Sequence, residues 1–218
     1  DVKVFKYKVF SRACLAAYMN YSSSYSVAFF MALYLQSIGA LTPMQAGMVI
    51  MIQPAIQMVL TTKSGSLSDR MRDKRILPTL GMAITSAGVA MVIFMGTTVN
   101  LAFVGAALVI LGIGYGVFAA PNTSVVMSSV PIKHRGEASG MIALLRQLGM
   151  VTSMTVAMCS ISIIMGGTDN LGPETFETFG PFVNAMQAAF VVCLAMCIIG
   201  TFVSWFRGGS PEDACEYQ

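Results

Sequence analysis

Six long apolar runs, at about 13–38, 44–62, 77–97, 101–127, 138–165 and 182–206, dominate this chain. About 20 apolar residues in a helix cross the hydrocarbon core of a bilayer, and each run comes close to that length or exceeds it. Hydrophobic residues make up 56% of the sequence and charged residues 11%, with a mean hydropathy of +0.72. A soluble domain carries about 25% charge. The expected fold class is therefore an all-α membrane protein with six transmembrane helices. Residues 13–206 would form the transmembrane domain, 1–12 a cytoplasmic juxtamembrane segment and 207–218 a cytoplasmic tail.

The basic residues set the expected orientation. Lys3, Lys6, Lys8 and Arg12 precede the first run. Lys63, Arg70, Arg72, Lys74 and Arg75 lie between the second and third. Lys133 and Arg135 lie between the fourth and fifth, and Arg207 follows the sixth. The breaks at 37–43 and 96–100 hold no charge, and 167–181 holds only Asp169, Glu174 and Glu177. Loop Lys and Arg favour the cytoplasmic side, so both ends are expected there, in a multi-pass protein of the cell membrane. The net charge of +3 suits loops facing an anionic leaflet. No basic tract with interleaved aromatics suggests nucleic acid as a partner. The chain starts at Asp1 without an initiator Met, and a piece of a longer polypeptide is expected.

Several segments carry candidate chemistry. Thr42, Pro43 and Gln45 form a capping-box pattern at the start of the second run. Gly65 to Arg75 makes a short, densely charged loop. There Asp69 can cap the following helix, and Arg70, Lys74 and Arg75 can pair with acids or lipid phosphates. A solvated anchor that only sets topology is the plainer reading of that loop. Arg146 is the one charged residue well inside a run, about 16 Å along a helix from Arg135 at 1.5 Å per residue. A mid-helix Arg costs about 2.5–3.5 kcal/mol on insertion scales, so it should face the bundle or water. Lining a cavity or gate with Gln147, and snorkelling to the headgroups, both stay open.

Tyr18, Tyr21 and Tyr25 fall on one stripe of the first run, among Asn20 and several serines. Aromatic faces beside small hydroxyls suit an amphiphilic or cationic aromatic substrate; helix packing is the alternative. Gln53 and Gln57, with Pro54 between, can bond neighbouring helices or face a cavity, and Asn122 is a further polar candidate. Gly112, Gly116, Gly140 and Gly149 suit close helix crossing, and Pro121 a kink. Cys193 and Cys197, one turn apart in an apolar run, read as packing residues. No Asp or Glu lies inside any run. No cofactor or metal pattern is present, and no residue set suggests an enzyme.

Two groups of motifs carry a family resemblance. Gly65-x-Leu67-x-Asp69-Arg70 followed by Lys74-Arg75 resembles the signature loop of the major facilitator superfamily, with Arg72 and Asp73 where that family usually has Gly and Arg. Val130-Pro131, Arg135-Gly136, Ala138-Ser139-Gly140 and Arg146-Gln147-Leu148-Gly149 look like the penultimate helix of its fourteen-helix drug:proton antiporters. Leu33 to Gln36, Thr42 to Gly47, Gly112 to Gly116 and Ala120-Pro121-Asn122 match neighbouring helices of the same branch. The resemblance, from about Val4 to Trp205, implies half of a major facilitator bundle, built as a 3+3 inverted repeat. It implies the C-terminal half of a proton-coupled exporter of small amphiphilic compounds or drugs. Its partners would be the bilayer, protons, a small-molecule substrate and a missing N-terminal half, from the same longer chain or a second copy. A half-size dimerising transporter of another solute, or a non-transporting scaffold or sensor, stays open beside it.

Overall fold

The computed structural model describes residues 7–71, 73, 75–166 and 179–206, with backbone alone for Asp69, Arg70 and Phe179. Seven α-helices run through them: α1 (Lys8–Ser37), α2 (Pro43–Ile50), α3 (Ile52–Arg70), α4 (Ile76–Ile93), α5 (Leu101–Ser128), α6 (Arg135–Met165) and α7 (Phe179–Trp205). A 3₁₀ turn, Ile132–His134, leads into α6.

Against the expected six crossings, five stretches are both long and apolar enough to span a membrane: Pro43–Ser68, Ile76–Ile93, Leu101–Ser128, Ile132–Met165 and Gly180–Trp205. Helix α1 has 30 residues, about 45 Å at 1.5 Å per residue, so its length suffices. Its apolarity does not, because Tyr18, Asn20, Tyr21, Ser22, Ser23, Ser24, Tyr25 and Ser26 crowd its middle. Half of those residues turn inward: Asn20, Ser22, Ser23 and Ser26 are buried.

Local chemistry explains several boundaries. Thr42 caps α2 as its pattern indicates. Its hydroxyl accepts from the Gln45 N–H, and the Gln45 side chain accepts from the Thr42 N–H at 3.0 Å. The α2–α3 break at Met51 lies one turn before Pro54. Proline has no N–H, so the Ile50 carbonyl loses its intrahelical partner. Bonds on either side hold the two pieces in line, from Met51 N–H to Gly47 and from Ala55 N–H to Met51. Helix α4 stops at Ile93, short of the expected 97. The carbonyls beyond it bond elsewhere: Gln187 donates to Met95, and the Tyr34 hydroxyl reaches those of Gly96 and Thr98. Helix α6 ends on Gly166 at φ 76°, a left-handed cap conformation that glycine adopts without a Cβ penalty. Helix α5 passes through the buried Pro121 as one helix.

The helices pack as two trios. Helix α5 lies between α3 and α4, and α1 lies against α6 and α7; α4 with α7 and α1 with α5 join the trios. Missing side chains allow the tightest crossings. A Cβ on Gly112 would come 2.8 Å from the Gln53 carbonyl oxygen, and one on Gly116 would come 2.8 Å from Leu60 Cβ. One on Gly81 would meet the Phe118 nitrogen at 2.6 Å, and one on Gly149 the Tyr21 Cβ at 2.7 Å. Gly140 differs: nothing lies within 4 Å of a Cβ there, so its small size is not used for packing among the described residues. Phe30 of α1 meets Phe182 and Phe190 of α7 in the main apolar core.

These crossings generate a prediction. Overpacking a tight site costs about 1–3 kcal/mol. Gly116→Val should therefore lower the thermal midpoint of detergent-solubilised protein by several degrees, while Gly140→Ala, with open space for its methyl and better helix propensity, does not lower it. Equal midpoints for the two variants would contradict the close α3–α5 approach.

Candidate functional site

The seam between α1 and α6 brings together most of the candidate side chains. Gly149 on α6 has no side chain, so α1 comes close enough for Tyr21 to sit directly on it. One turn earlier, Arg146 stretches back over that tyrosine. Its guanidinium carbon lies 5.2 Å from the Tyr21 ring centroid, and Nη2 is 3.5 Å from the hydroxyl. A cation over an aromatic face is attracted by the ring quadrupole. One turn later, the Tyr18 hydroxyl and Thr152 Oγ1 are 2.8 Å apart. Ser153 then accepts a hydrogen bond from the Ser26 backbone N–H at 2.8 Å. The seam thus grades from a buried polar contact to an exposed cation.

Arg135, Ser139, Ile142, Arg146, Gly149 and Ser153 fall on one side of α6 by helical spacing, and that side is only partly uniform. Ile142, Gly149 and Ser153 are buried, whereas Arg135, Ser139 and Arg146 are exposed. Tyr18, Tyr21 and Tyr25 are half-buried along the edge of α1. Gln147 is exposed but sits about 100° round the helix from Arg146, so the two do not form one site. Arg146 makes no ion pair with a carboxylate among the described residues; Asp73 lies 3.8 Å from Arg75, and Glu137 lies 3.3 Å from the His134 ring.

Other candidates lie elsewhere. Asn20 is buried, its backbone carbonyl accepting from Ser23 and Ser24 while its side-chain nitrogen has no partner among the described residues. Asn122 is buried on α5 and donates to the Ala13 carbonyl at 3.2 Å, tying α5 to α1. Both lie inside the bundle formed by the described helices. Gln53 is half-buried where α3 crosses Gly112. Gln57 lines an open depression on α3 with Pro54, Met58, Thr61 and Thr62.

The charged segment differs from the expected loop. Helix α3 continues to Arg70, so Gly65 to Arg70 are helical and the turn proper begins at Met71. Gly65 faces Ala120 of α5, and Ser64 donates to the Gly116 carbonyl at 2.8 Å. Asp69 falls in the last turn of α3, and α4 starts without a side-chain cap. Asp73 closes the turn instead, accepting from the Arg75 N–H at 3.0 Å, a local Asx contact. The side chains of Asp69 and Arg70, all of Arg72 and Lys74, and the segments 1–6, 167–178 and 207–218 lie outside the described residues.

Sequence reasoning missed an interior polar line. Cys197 donates to Ser23 at 3.0 Å, and Ser26 lies 3.5 Å from Cys193. The Tyr115 hydroxyl is buried with Ser23 and Ser24 nearby, yet none completes a hydrogen bond. Thr79 and Ser204 join α4 to α7 at 2.9 Å. The one-turn spacing of both Ser23/Ser26 and Cys193/Cys197 was the available signal. It also missed two methionine stripes, Met44, Met48, Met51 and Met58 on α2–α3 and Met150, Met154 and Met158 beside an open depression of α6.

Membrane-length helices joined by buried polar contacts define a multi-pass membrane protein. The sequence profile of the Major Facilitator Superfamily matches residues 2–154, and the chain belongs to that family of transporters, which are not enzymes. It is 27% identical over 207 residues to the riboflavin transporter RibZ of Clostridioides difficile (strain 630), covering 94% of this chain and 44% of that protein. It is 24% identical over 151 residues to the multidrug efflux pump LfrA of Mycolicibacterium smegmatis (strain ATCC 700084 / mc(2)155), covering 69% and 30%. A solved structure of a bacterial homologue of the human drug peptide transporters PepT1 and PepT2 has the same fold, with TM-score 0.75, 17% identity, and coverage of 94% of this chain and 44% of that one. The chain spans less than half the length of these relatives.

The seam can be tested directly. A double-mutant cycle of Tyr18→Phe and Thr152→Val should give a coupling of about 0.6 kcal/mol, typical of hydrogen bonds inside membranes. Unfolding in detergent measures it, and strict additivity would show that the bond does not form.

Proposed function

We propose that this chain is the C-terminal six-helix half of a fourteen-helix drug:proton antiporter. The complete protein would export small amphiphilic compounds in exchange for protons. The observation that carries the reading is the exposed Arg146 against the half-buried Tyr21, about a third of the way along a membrane-length helix, in a chain covering 44% of a transporter. A cation at that depth needs water or a polar partner, and a substrate cavity between two halves supplies both. RibZ and LfrA carry small-molecule transport in their names, which supports the same class of cargo.

The packing pattern supports a 3+3 repeat. Exchanging α1 with α5, α2–α3 with α6, and α4 with α7 turns the α1–α6 and α1–α7 contacts into α5–α3 and α5–α4. The same exchange returns α4–α7 and α1–α5 to themselves, while the α6–α7 packing has no comparably close α3–α4 counterpart among the described residues. Six crossings with both ends cytoplasmic belong to the same reading, supported by that exchange and by the placement of the Lys and Arg residues. Alternating access would rock this unit against the other half. The apolar runs hold no acid, so the coupling carboxylate belongs to the remainder of the polypeptide. Asp69, Arg70, Lys74 and Arg75 latch the cytoplasmic side in one state.

Two measurements test this. The native polypeptide should have a mass about twice 23.2 kDa or more; a mass near 23.2 kDa would favour a dimer of half-size units. In vesicles holding that polypeptide, Asp69→Asn should slow proton-driven export by about fivefold or more, the lower end of ordinary coupling energies. Membrane insertion should be unchanged. Full export by a well-inserted Asp69→Asn protein would remove the latch from the mechanism.

A further inference from the structure

Resting on the reading of the α1–α6 face as part of a substrate cavity, we propose that Arg146 makes this an anion-selecting site. Its preferred ligand is a planar aromatic compound bearing a carboxylate, sulfonate or phosphate, rather than the cationic aromatic that the tyrosine stripe alone suggests.

Three observations carry this. Arg146 is exposed yet lies about 16 Å from the helix start at Arg135, and no described carboxylate pairs with it. Nor does any apolar run contain an Asp or Glu that could do so. Second, the guanidinium lies over the Tyr21 ring, its carbon 5.2 Å from the centroid, with a long 3.5 Å contact to the hydroxyl. A guanidinium carries five N–H donors in a planar fork, so one long contact leaves donors able to bind an oxyanion in bidentate fashion. The Tyr21 Cβ packs closely on Gly149, which anchors that residue of α1 against α6. Third, the same contact denies the site to cations. The π-face of Tyr21 that would attract one already carries a positive charge, and a second would be repelled in a low-dielectric cavity. The Tyr18 hydroxyl is held by Thr152 at 2.8 Å. Tyr25, half-buried one turn beyond Tyr21, remains to contact the ligand ring.

An isosteric pair of probes tests this by equilibrium dialysis on the complete polypeptide in nanodiscs, with no ion gradient: 2-naphthoate and 2-naphthylmethylammonium. Naphthoate should bind about tenfold tighter or more, since a charge-assisted hydrogen bond is typically that strong. Arg146→Gln should bring the two affinities within about twofold, and Arg146→Lys, which keeps the charge but not the planar fork, should keep part of the preference. Equal or tighter binding of the amine by the unmodified protein, an unchanged ratio in Arg146→Gln, or no naphthoate binding would overturn the proposal. The last result would fit an acidic side chain from the other half occupying Arg146. If Arg146→Gln fails to insert, the ratios of the unmodified protein and Arg146→Lys decide. Because no gradient is used, the proposal survives a failure of export, and export can succeed while the ratio fails.

Discussion

The bundle depends on backbones approaching closely where side chains are missing. Lipid tails are as apolar as Leu, so burying apolar surface does not by itself bring helices together in a membrane. Dispersion and polar contacts do, and both require short distances. Helix α5 provides them on two sides, with Gly112 and Gly116 against α3, and Gly114 against Thr85 of α4. Gly149 does the same for α1 and α6. Once the backbones are that close, hydroxyls reach carbonyls on neighbouring helices, as Ser64 reaches Gly116.

This arrangement explains why the polar middle of α1 is compatible with a membrane. Each side of that helix has its own use for polarity. The inner side pairs serines with the thiols of α7, and the α6 side uses Tyr18 and Ser26 against Thr152 and Ser153. The remaining edge presents Tyr21 and Tyr25. Hydropathy averages those uses together, so α1 is long enough to cross a membrane but is not among the five stretches that are also apolar enough.

Much of the fold was legible because its signals are local. The capping box at Thr42, the glycine spacing at 112 and 116 and the proline at 54 each act within a turn or on an adjacent helix. The site was less legible because its geometry depends on which helices meet. Asn20 and Asn122 have the composition of cavity residues but point into the bundle. Arg146 and Gln147 are adjacent in sequence but face different directions. The charged segment misleads for another reason. Its Lys and Arg residues place it at the membrane surface, but Gly65 to Arg70 still propagate α3 because nothing before Met71 stops the helix. Asp73, which departs from the family pattern, closes the turn after it.

The contact between Arg12 and the Phe206 carbonyl, at 2.6 Å, has a topological consequence. It pins the start of α1 beside the end of α7, so the polypeptide enters and leaves the bundle at neighbouring points on one face. A module wired in this way can be joined in series to others without threading a linker through the bilayer or reversing the orientation of the next module.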